Sequence, residues 1–205
     1  MLALIVKAAL ETAFKPILDQ EAWTAVSALA WSQLAVFFVL MLRFYIGALR
    51  YVEMEPKNLD LVIRTINLVF AFILFCNFYV IALSVTHPEY FYYLVISLHL
   101  IDGVWFLVAL TFSFLKVVPE HPGEIKISAT RRVMITFLFF DFLTVLFAAI
   151  WYYLIFPQQL TSKTETSADW AFLATLIAIS FLDFWALNEY YFKIADWRTK
   201  HAVPQ

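Results

Sequence analysis

Five stretches of this chain run for about twenty residues with no charge or a single aspartate, the length of helix that crosses a bilayer core. They cover residues 22–42, 65–88, 90–115, 133–156 and 170–192. The first two are free of charge. Asp102 interrupts the third, Asp141 the fourth and, as far as residue 188, Asp183 the fifth. In lipid each backbone N–H and C=O must find a partner inside its own segment, so a series of such segments folds as helices. The connections gather polar residues with Pro or Ser/Thr, and the longest is about twenty residues, too short for a separate soluble domain. The expected fold is an all-α integral membrane protein. A compact bundle of about five transmembrane helices occupies 22–193, and 194–205 is a cytoplasmic tail.

Residues 1–20 are apolar too, but Lys7, Glu11, Lys15 and Pro16 interrupt them. Leu2, Ile5, Ala9 and Ala13 fall roughly on one helical face, which predicts an amphipathic helix at the membrane interface. No charged region precedes the apolar run, so it does not read as a cleavable signal.

Composition excludes the alternatives. Apolar residues are 63% of the chain and charged ones 15%, where a soluble domain carries about 45–50% and about 25%. Disorder, a disulfide scaffold and a soluble enzyme are ruled out, and the lone Cys76 can form no intrachain bridge. Fourteen basic residues against sixteen acidic leave no basic surface for a nucleic acid.

The basic residues also predict the threading. Eleven of the fourteen Lys and Arg fall on one set of alternate connections and three on the other. With five spans, the positive-inside rule puts the C-terminus in the cytoplasm and the N-terminus outside. Aromatic residues cluster at both ends of the spans, among them Tyr90, Tyr93, Trp151 and Trp170 outside and Tyr51, Tyr190, Tyr191 and Trp197 inside. That is the pattern of interfacial anchors.

The informative residues are the polar ones within the spans. A charge at mid-bilayer costs at least about 2.5–3.5 kcal/mol, so each needs a partner or a wet cavity. Counted from the nearest basic residue, Arg43, Asp141, Asp183 and Asp102 lie roughly 10, 14, 15 and 21 Å deep. Arg43 is the deepest guanidinium and the expected counter-ion of Asp141 and Asp183. The alternative to a structural ion-pair network is an ion or proton pathway, or a charged ligand pocket. His99 and Asp102, three apart, share a face that suits either a proton relay or polar packing against Asn67 or Asn77. Ala25, Ala28, Ser32 and Ala35 form a row of small residues where helices can approach closely. Gly47, between Arg43 and Arg50, offers a similar notch.

Catalytic motifs are lacking. Three glycines build neither a nucleophile elbow nor a phosphate-cradling loop, and Asp141 and Asp183 lack the flanking glycines of intramembrane aspartyl proteases. His87, His121 and His201 show no ligand spacing, and His99 has no axial partner within the spans, so neither metal nor haem is indicated. Two function classes remain. One is a transport, channel or membrane-sensor protein, expected to act as a homo-oligomer because five short-looped helices leave little room for a pathway. The other is a non-catalytic membrane subunit or scaffold that docks a soluble partner on its cytoplasmic face.

Overall fold

The computed structural model describes residues 2–20, 28–54, 61–114, 127–155 and 167–202. The described residues form α1 (Leu2–Gln20), α2 (Ala28–Met54), α3 (Leu61–Leu83), α4 (Pro88–Phe114), α5 (Ile127–Ile150) with a π-helical turn (Trp151–Ile155), α6 (Ser167–Ala186), α7 (Asn188–Phe192) and α8 (Ile194–His201). Four segments are long and apolar enough to cross a membrane: Ala30–Tyr51, Leu61–Leu83, Tyr90–Ser113 and Ser128–Tyr153. Trp170–Ala186 is a shorter apolar helix. The chain is an all-α membrane bundle, as its hydropathy requires. Large apolar side chains such as Leu61, Phe142, Phe181 and Trp185 stand exposed on the outside, where lipid is the solvent.

The order around the bundle is α1, α3, α4, α5, α6 and α2, with α2 also touching α3 and α4. α2 therefore turns one face toward the interior, burying Gln33, Phe37, Leu40 and Arg43 at helical spacing. The helix runs well beyond Leu42, because Arg43 has internal partners and does not mark the end of the span. α5 likewise begins before Arg131, which reaches across to the hydroxyl and carbonyl of Ser113 at the end of α4.

The face of α1 read as apolar is the buried one, and protein buries it. Ile5, Ala9 and Ala13 pack on α2 and α3, while Lys7 and Glu11 pair at 3.5 Å on the exposed side. Phe14 meets the Trp31 ring edge-on at 5.3 Å, and Leu2 lines a cavity together with Arg43. Both pairs are joined by the same run of twelve residues, about 18 Å of helix, so α1 stands antiparallel to α2 with Leu2 near the level of Arg43.

The fifth expected span, 170–192, ends sooner. α6 stops at Ala186 and Leu187 leaves helical geometry (φ −109°, ψ 25°) before α7 and α8. These two short helices turn back onto the bundle. Tyr190, Tyr191 and Trp197 are buried among Phe137, Leu187 and one another, so they belong to the core and not to a headgroup belt. At the other end Tyr92 and Trp151 are buried too, whereas Tyr90, Tyr93, Tyr153 and Trp170 stay exposed as anchors would. The tail expected from 194 onward thus begins as a packed helix. Its only exposed ion pair among the described residues joins Lys200 to Glu189 at 3.3 Å.

Candidate functional site

Four helices meet at Arg43. Its Nε donates to Asp183 Oδ2 of α6 at 2.7 Å and its Nη2 to Asp141 Oδ1 of α5 at 3.0 Å. Its Nη1 lies 3.1 Å from His99 Nε2 of α4. All four residues are at most 2% exposed. The guanidinium also stands 5.2 Å from the Phe44 ring centre, which in turn meets the His99 imidazole edge-on at 5.5 Å. A planar fork of five N–H donors suits this convergence, because it can serve three partners in one plane.

The hydrogen bonds fix the state of His99. A guanidinium only donates, so Nε2 accepts; the other nitrogen, Nδ1, lies 2.9 Å from the Val95 carbonyl, which only accepts, so Nδ1 carries the proton. The imidazole is neutral and both nitrogens are committed. It therefore makes no relay to Asp102 through a direct bond. Nor does it turn to α3, where Asn67 accepts from Trp105 Nε1 at 3.1 Å and Asn77 donates to Ser97 at 3.0 Å.

The three carboxyls are served unequally. Asp183 Oδ2 takes Arg43 Nε and the Tyr191 hydroxyl, which reaches it from α7 at 2.8 Å. Asp141 takes Arg43 through Oδ1, and its Oδ2 is buried without a donor. Asp183 Oδ1 is likewise buried without a donor, and among the described residues no hydrogen bond reaches Asp102, which is 4% exposed. It is instead under the electrostatic influence of Asp141 on the neighbouring helix. Two carboxyls that share a buried site disfavour each other's ionised form.

Depth counting from basic residues put Asp102 well above Asp141, yet the two stand at similar levels on adjacent helices. The markers caused the mismatch, since Arg131 and Arg132 lie inside α5. Counted from the helix ends, Asp102 is twelve residues from Phe114 and Asp141 fourteen from Ile127, about 18 and 21 Å.

Beside the cluster lies a cavity between α1, α2, α3, α4 and α5. Arg43 and Asp102 are its charged lining residues; Phe44, Phe78, Trp105 and Phe106 supply much of the rest. Sequence reasoning singled out both charges but not the aromatic wall, whose residues read individually as ordinary core. Of the small-residue row, Ala25 lies outside the described residues and Ala28 belongs to α2. Ser32 is half-buried and Ala35 is exposed. Among the described residues no three His, Cys, Asp or Glu side chains are grouped to hold a metal ion. The guanidinium already lies between Asp141 and Asp183. No known family model, characterised protein or solved structure matches this chain.

Proposed function

We propose that this is a membrane protein of the transport or sensor type whose working group is the Asp102–Asp141 carboxyl pair, holding one proton beside a fixed Arg43. The observation that carries this reading is the deficit of positive charge. One guanidinium faces three buried carboxyls, and it engages Asp183 and Asp141 while Asp102 has no donor. A purely structural network gains nothing from a third buried acid, because an unpaired charge is strongly disfavoured away from water. Two negative charges are in excess; a proton is the simplest species that neutralises one of them, and one that leaves and returns gives the site two states.

The basic asymmetry supports a cytoplasmic location for the end of the bundle that carries α7 and α8. On that orientation the end of α1 and the start of α2 are outside, while Leu2 reaches back to the level of Arg43.

Infrared difference spectroscopy tests the pair. Wild-type protein should show a carboxylic-acid C=O band as pH is varied, and Asp102→Asn, with nearly the same volume, should fold normally and lose it. Absence of that band from the wild type, or its survival in a folded Asp102→Asn protein, overturns the reading. In liposomes, pH-gradient-driven proton flux that the same substitution abolishes identifies transport; a band without flux identifies a sensor.

A further inference from the structure

We infer that the cavity beside Asp102 binds a small hydrophobic organic cation, which enters as the proton shared by Asp102 and Asp141 leaves. The inference rests on the carboxyl pair proposed above and names what exchanges with its proton. Three observations carry it.

The first is the charge left over. Arg43 is engaged by Asp141 and Asp183 and balances one carboxylate of three; of the charge left over, the part that borders the cavity belongs to Asp102. An ammonium there takes the place of the proton one for one, and net charge is unchanged by the exchange. An anionic ligand has no comparable place, because it would add to carboxyl charge that the one guanidinium already leaves unbalanced.

The second is the wall. Phe44, Phe78, Trp105 and Phe106 line the cavity, and an aromatic ring whose face meets a cation attracts it by about 0.5–2 kcal/mol. An aromatic lining around one buried carboxyl selects a ligand that is apolar and positively charged at once. The third is size. The cavity holds about 80 Å³ on a scale where one water needs about 10–15 Å³, room for a single-ring amine.

Several ionisable groups face Asp102 or its cavity. Arg43, Tyr45 and Tyr51 come from α2, Asp141 from α5 and Asp183 from α6, with His99 on α4 itself; α1 and α3 contribute none among the described lining residues. The Tyr191 hydroxyl of α7 donates to Asp183. The exchange therefore titrates through the carboxyl pair.

Benzyltrimethylammonium is a suitable probe, because its permanent charge leaves any pH dependence to the protein. Calorimetry on the full-length protein in detergent, repeated in buffers of different ionisation enthalpy, should show one proton released per cation bound. The Kd should weaken by up to about tenfold per unit as pH falls. Asp102→Asn should lose binding at least about tenfold, and Ala71→Phe, which fills the cavity from α3 without touching the carboxyls, should lose it while keeping the infrared band. The uncharged isostere neopentylbenzene should bind more weakly. Equal binding of the isostere, or unchanged binding to Asp102→Asn, overturns the inference in favour of a merely apolar cavity. No binding at any pH with the carboxylic-acid band intact overturns the inference and leaves the proton site standing. Loss of both overturns both.

Discussion

At the scale of single residues, Arg43 decides how the interior is organised. It reaches Asp141 across 98 positions of chain and Asp183 across 140, so it ties together helices that the sequence keeps far apart. Removing one member of a buried ion pair strands the other, at about 3–5 kcal/mol. Arg43→Gln should lower stability in detergent by that amount, read from the midpoint of denaturant unfolding. Asp183→Asn alone should also destabilise, since it weakens the acceptor of both Arg43 and Tyr191. Combined with Arg43→Gln it should cost less than the sum, with a coupling of about 0.5–3 kcal/mol. Strict additivity of the two substitutions would show that the contact contributes no energy. Gly47 behaves differently. A Cβ there would lie 3.7 Å from Phe137 Cζ and 3.8 Å from Tyr191 Cε1, which is ordinary contact distance. Gly47→Ala should therefore raise stability by about 0.5–1 kcal/mol through helix propensity. A clear fall in the thermal midpoint would mean that the rings on α5 and α7 pack more tightly than those distances allow.

At the scale of elements, α1 has the most to distinguish it. Its stripe of Ile5, Ala9 and Ala13 is narrow because it is pressed between neighbours: α1 lies along α3 and touches α2, and small side chains let the backbones approach. Ala9→Leu should cost about 1–3 kcal/mol by overpacking a fully buried position. Leu4→Ala, on the exposed face, should change stability by less than about 0.5 kcal/mol. Equal effects of the two in a detergent melt would place α1 away from the bundle. α7 is the complementary case at the opposite end of the chain. It is a single short helix, yet its Tyr191 hydroxyl joins the buried ionic cluster and the Tyr191 carbonyl takes Arg50 Nε at 2.9 Å. The break at Leu187 lets those groups turn inward.

At the scale of the whole molecule, the orientation argued from the basic residues has a direct check. A reporter active only in the cytoplasm should work when fused after residue 205 and fail when inserted near Lys163, in the sparsely charged connection between α5 and α6. The reverse pattern would invert the molecule and with it the side from which the carboxyl pair is reached. The membrane class, the helices and the buried position of their polar residues were legible from the chain, because hydropathy and the cost of intramembrane charge are local properties. So was the identity of Arg43 as the deep guanidinium. Span ends were less legible: the rule that charge ends a helix failed at Arg43, whose charge is compensated by residues 98 and 140 positions away.

What the sequence determined by itself is the solvent of this protein, its helical architecture and a short set of polar residues that lipid cannot tolerate unpaired. The tertiary structure alone decided how they are paired. Asp141 and Asp183 share Arg43, His99 is held neutral by Arg43 and Val95, and Tyr191 folds back to Asp183. It also made four aromatic side chains, each an ordinary core residue in sequence, into one wall facing a carboxyl. The reason is geometric. Hydrophobicity is carried by each residue wherever it stands, whereas a hydrogen bond needs two groups within about 3 Å, and only the packing of helices remote in the chain sets that distance.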